Sequence, residues 1–74
     1  MWHDRITSDA AILGGKPIIK GSRISVEVIL EELASGATPG ELAKDFIVDE
    51  ADIYAALEFA AQALRADALY PAAS

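Results

Sequence analysis

The stretch Gly14-Gly15-Lys16-Pro17-Ile18-Ile19-Lys20-Gly21-Ser22-Arg23-Ile24 sets the strongest limit on what this chain can fold into. It is the one segment dense in both glycine and proline, and it holds three of the six basic residues. Pro17 imposes extended backbone, Ile18-Ile19 is a β-branched pair, and Gly21 is a permissive joint before a second extended piece, Arg23-Ile24-Ser25. The spacing predicts two short strands around a turn. Gly14, Gly15, Pro17 and Gly21 then specify a surface shape rather than a plain connector. Everything that follows reads helical. The expected fold is mainly α: a three-helix bundle in a helix–turn–helix, homeodomain-like arrangement, preceded by a short N-terminal β element. One domain spans residues 1–74, with a β-hairpin or extended arm over 1–24, the bundle over 25–68 and a tail over 69–74.

The helix boundaries are strongly punctuated. Before the hairpin, Ser8-Asp9 opens a turn or caps a short helical turn through Leu13, and Ile6 is expected to begin the ordered part. Ser25 is a candidate N-cap, and Val26, Ile29, Leu30, Leu33 and Ala34 follow at helical spacing. Gly36 is the expected C-cap, which bounds the first helix at about 26–35. Thr38-Pro39-Gly40-Glu41 combines a cap, a proline at the first helical position and a box-closing glutamate. That predicts a second helix over 39–45, with Leu42, Ala43 and Phe46 turned inward. Asp49 caps a third helix that runs to about Ala68, with Glu50 and Asp52 at its positive end.

The third helix carries two apolar stripes. Ile53, Leu57, Ala60 and Leu64 form one; Ala56, Phe59, Ala63 and Ala66 form the other. One stripe closes the core, and no further element of the chain is left for the second. The second stripe, with Arg65 beside it, is therefore expected to be a dimer or partner face, and a homodimer is the expected assembly. The 53% hydrophobic content of so short a chain points the same way. Trp2 and Tyr70 read equally well as partner contacts or as edge packing.

Seventy-four residues without cysteine exclude a disulfide scaffold and a thiolate metal site. The net charge of -6 opposes tight, sequence-independent nucleic-acid binding. The charge is uneven: residues 1–23 balance at +2 through Arg5, Lys16, Lys20 and Arg23, and the helical remainder carries -8. Lys16, Lys20 and Arg23 thus form a basic hairpin on an acidic body. No signal peptide or membrane span is visible, so a cytoplasmic location is expected. The third helix would be the one to enter a DNA groove, yet its start offers Asp49, Glu50, Asp52 and Tyr54 with no Arg, Lys, Asn or Gln. Any DNA contact is expected to be weak and to come from the hairpin. Enzymatic chemistry has little support: the single histidine, His3, lies in a terminus expected to fray, and Gly14-Gly15-Lys16 lacks the Lys-Ser/Thr pair of a phosphate loop. The carboxylates have no histidine among them and no calcium-loop spacing. No catalytic residue, cofactor or metal is expected.

The run from Ile6-Thr7 through Gly14–Ile24, continuing in Val26, Ile29, Leu30, Leu33, Ala34, Gly36, Glu41, Asp45, Phe46, Asp52, Ile53, Ala56-Leu57 and Ala60, resembles the small bacterial and archaeal family termed domain of unknown function four hundred and thirty-three. The resemblance covers about residues 5–62. Two positions depart from it: Ser22 stands where threonine is usual, and Ile47 where the family often has proline. The resemblance implies a helix–turn–helix fold with an added β element. It also implies an antitoxin of the VapB type that binds and silences a PIN-like ribonuclease and regulates its own operon. The alternatives are a DNA-binding regulator and a small dimeric interaction module without a toxin. A toxin-binding extension beyond the bundle is expected to be short or absent.

Overall fold

The computed structural model describes residues 2–66; the expected tail, Tyr70 and the last turn toward Ala68 lie outside the described residues. Two short strands, β1 (Ile6–Thr7) and β2 (Ile18–Ile19), precede three helices, α1 (Val26–Ala34), α2 (Pro39–Phe46) and α3 (Glu50–Ala66). The chain is a small helical bundle with an N-terminal two-stranded element. No described helix is long and apolar enough to cross a membrane.

The β element is assembled differently from the expected hairpin. β2 pairs antiparallel with β1, Ile6 opposite Ile19 and Thr7 opposite Ile18. The segment after Gly21 adds only a single bridge, Ile18 to Ser25, made by the bonds from the Ile19 amide to the Ile24 carbonyl at 2.9 Å and from the Val26 amide to the Pro17 carbonyl at 3.0 Å. The reason is local. Ser25 leaves the sheet to cap α1, its hydroxyl accepting the Val28 amide at 3.0 Å, so the third strand has no length in which to form. Ser22 tightens the turn: its hydroxyl donates to the Ile19 carbonyl and accepts the Ile24 amide.

The helix ends follow their caps. α1 closes in a Schellman motif, with the Gly36 amide on the Leu33 carbonyl and the Ala37 amide on the Glu32 carbonyl. That geometry requires Gly36 at φ 106, a conformation side chains avoid. α2 opens with a complete capping box between Thr38 and Glu41 and with Pro39 at its first position. It closes in the same way as α1, with Val48 bonded to Ala43 and Ile47 to Lys44, but here the left-handed residue is Ile47 at φ 56, ψ 53. Asp52 accepts the Asp49 amide at 3.0 Å, the returning half of a box at the start of α3. The Asp49 side chain is used elsewhere, as described below.

The core joins both layers. Ile6 and Ile19 from the sheet, Val26 and Ile29 from α1, Leu42 from α2, and Ile53, Ala55 and Ala56 from α3 form one buried cluster. Ala34, expected inward, is exposed as the last residue of α1.

One expectation about the ends of the bundle is corrected. The N-terminus is docked rather than frayed. Trp2–Asp4 forms a 3-10 turn against α3, and the Trp2 ring meets Phe59 edge-on with centroids 4.9 Å apart. The Trp2 amide donates to Glu58 at 2.8 Å and its indole N–H to Gln62 at 2.5 Å. His3 stacks on the exposed side of Trp2. Of the stripe assigned to a partner, Ala56 is wholly buried, Phe59 meets Trp2, and Ala63 is half-buried. Leu57 and Leu64, placed in the other stripe, are both 38% exposed.

Candidate functional site: the basic loop and the start of α3

The four N-terminal cations do not act as one patch. Arg5, just before β1, reaches the start of α3, where its guanidinium donates to Asp52 at 3.0 Å and to Asp49 at 3.5 Å. The backbone fixes this approach, since the Arg5 carbonyl accepts the Lys20 amide at 2.8 Å. Hydrogen bonding to Asp52, assisted by the charges of Asp52 and Asp49, raises the Arg5 pKa further above its ordinary value. Lys16 is also engaged, its Nζ 2.8 Å from Glu27 on α1. That hydrogen bond raises the Lys16 pKa and lowers the Glu27 pKa.

Lys20 and Arg23 remain. Both are exposed, and neither has an ion-pair partner among the described residues. Gly21, at φ 82, turns the loop between them outward. Of the three cations expected to serve as contacts, the structure keeps two available and ties the third to the bundle.

The start of α3 is likewise changed from its appearance in the sequence. Asp49 and Asp52 are partly neutralised by Arg5, and Asp52 is further occupied by the Asp49 amide. Tyr54 is 54% exposed. Ile47 stands 90% exposed at the turn between α2 and α3. An open depression separates that turn from the basic loop; Lys20, Gly21 and Ser22 line one side, Ile47, Val48 and Asp49 the other. Arg5 and Ile47 were not singled out as contacts by residue pattern. Arg5 reaches Asp52 across 47 positions, beyond any local spacing, and Ile47 reads as one more apolar residue until its backbone angle is known. Gly14, Gly15 and Pro17 shape the approach to β2: Leu13, Gly14 and Gly15 take three successive positive φ values, and the Pro17 carbonyl accepts the Val26 amide at 3.0 Å. Among the described residues, no group of three His, Asp or Glu side chains is placed to hold a metal ion.

A family model described as "Protein of unknown function (DUF433)" matches residues 6–60, from the first strand through most of α3. The chain belongs to the DUF433 family. No curated protein and no solved structure matches it. The matched span contains β1, the basic loop, Ile47 and the α2–α3 turn, with Arg5 just before its first residue. The Trp2 clamp and the last turn of α3 lie outside it.

Proposed function

We propose that this DUF433 chain is a protein-binding module, an antitoxin that docks on a PIN-like nuclease through the basic loop, with Lys20 and Arg23 as its contacts. The observation that carries this reading is the division of labour among the cations. Arg5 and Lys16 are paired with helix carboxylates, whereas Lys20 and Arg23 are exposed on a loop of an acidic body, with no ion-pair partner among the described residues. Nucleases of that class gather carboxylates around magnesium. A guanidinium entering such a pocket pairs bidentately with the carboxylates and competes with the metal. One desolvated arginine at the centre of an interface is worth a few kcal/mol, roughly 2–4. A cytoplasmic location and the absence of catalysis by the chain itself belong to this reading.

The test is co-expression with the nuclease-like reading frame beside its gene. The wild-type chain is expected to co-purify with that nuclease and to suppress its ribonuclease activity. Arg23→Glu is expected to weaken both effects at least about tenfold, the loss of a hot-spot side chain. Suppression that is unchanged in Lys20→Glu and Arg23→Glu together would remove the loop from the interface.

The three-residue turn between α2 and α3 favours a second reading, a DNA-binding regulator. With Lys20 and Arg23 the two N-terminal cations that have no ion-pair partner among the described residues, a dimer brings four such cations to phosphate. The slope of log affinity against log salt would then be about -4. A titration against the gene's own upstream DNA, with salt varied, separates the readings. Binding that survives Lys20→Glu and Arg23→Glu would move the contact onto α3.

A further inference from the structure

The solvent face of α3 carries an apolar stripe that no described part of the chain covers. Tyr54, Leu57, Ala61 and Leu64 follow one another at spacings of three, four and three, and all four are exposed. This is the spacing of a helix–helix seam, in which successive side chains keep facing one partner helix. It is not the stripe that the residue pattern assigned to a partner; that one faces Trp2 and the core.

We infer that this seam pairs with α3 of a second copy of the chain, antiparallel about a two-fold axis between Leu57 and Ala61. Charge decides both the occupant and the direction. The exposed face of α3 is acidic in its first turn, at Glu50, and basic in its last, at Arg65. A parallel pair would set Glu50 beside Glu50 and Arg65 beside Arg65. An antiparallel pair brings each Glu50 toward the second copy's Arg65 and also opposes the two helix dipoles. The same alignment is favourable sterically: Leu57 faces the second copy's Ala61, and Tyr54 faces Leu64, so each bulky leucine at the centre meets a small residue. Glu58 flanks the axis, where a like charge would face it. Its carboxylate is turned onto the Trp2 amide and away from the seam. The seam spans about three turns, so the interface is small and its dissociation constant is expected in the micromolar range.

The experiment is sedimentation of the full chain across the micromolar range. The mass is expected to rise with concentration from 7.8 kDa toward twice that value. Leu57→Glu and Leu64→Glu should each weaken association at least about tenfold, as a charge placed in a helix seam does, with far-ultraviolet circular dichroism unchanged. Direction is read by cross-linking, because the chain has no cysteine of its own. A mixture of Leu57→Cys and Ala61→Cys chains is expected to form the mixed disulfide in preference to either homodimer. Homodimeric disulfides alone would establish parallel pairing and overturn the proposal, as would a 7.8 kDa species at every concentration. These measurements use the isolated chain and do not touch Lys20 or Arg23. Loss of the dimer and loss of nuclease binding are therefore independent results.

Discussion

Replacing Ile47 with glycine is expected to stabilise this protein, although it deletes a large apolar side chain. Ile47 ends α2 in the left-handed region, at φ 56 and ψ 53. A side chain there crowds the following carbonyl at a cost of about 1–2 kcal/mol, and a β-branched one lies at the upper end of that range. The side chain recovers almost nothing by burial, because the residue is 90% exposed. Glycine removes the crowding and adds roughly 0.5–1 kcal/mol of chain entropy to the unfolded state. The net gain is about 0.5–1 kcal/mol. For a domain of this size that corresponds to a rise in Tm of roughly 2–8 °C. The assay is thermal and urea unfolding followed by circular dichroism, with the wild type measured alongside. Ile47→Pro supplies the opposite sign. Proline holds φ near -65°, and it removes the amide that donates to the Lys44 carbonyl at 3.4 Å. The loss is expected to be about 3 kcal/mol. A lower Tm for Ile47→Gly would refute the reasoning, since it would require the side chain to hold stabilising contacts that its exposure denies it. A stabilised Ile47→Gly chain would leave open what the isoleucine is for, and its exposure beside the basic loop makes it a residue to include in partner-binding assays.

Other outcomes follow from particular contacts. Trp2→Ala removes the edge-on contact with Phe59 and the bond to Gln62, and it is expected to lower unfolding free energy by about 2–3 kcal/mol in urea titration. Gly36→Ala meets no neighbouring atom, so its cost is the backbone strain at φ 106 alone, about 1–2 kcal/mol by the same titration. The Lys16–Glu27 pair sets a small pH dependence. Because the folded Glu27 pKa is lowered, its contribution is fully present above the ordinary glutamate range and is lost as pH falls through the folded value. Because the folded Lys16 pKa is raised, its contribution is lost as pH rises past the ordinary lysine range. The urea midpoint of wild type should therefore exceed that of Glu27→Gln by a slight, constant margin at neutral pH. That margin should close in acid and shrink with added salt. A margin unchanged in acid would assign the effect to something other than this pair.

The helices and their ends were legible in the sequence because capping is a local event. Ser25, Thr38 with Glu41, and Gly36 each act on amides or carbonyls within a few positions, and each does in the structure what its spacing predicts. The existence of a β element was legible for the same reason, in the Pro17 and Gly21 punctuation around Ile18-Ile19. Its partner strand was not. β1 is two residues long, and it was chosen by the need of Ile6 to reach the core opposite Ile19. The faces of α3 were the least legible feature. An alanine-rich helix offers little contrast between stripes, so periodicity alone leaves both open. The choice was made from far along the chain by Trp2, which docks on Phe59 and Gln62, and by Arg5, which secures the first turn. In the resulting orientation Ala56 is buried in the core, and Leu57 and Leu64 are left outside. The same long-range pairing sorted the cations: all four look alike in the sequence, but only the tertiary structure brings carboxylates to Arg5 and Lys16 and leaves Lys20 and Arg23 without an ion-pair partner among the described residues.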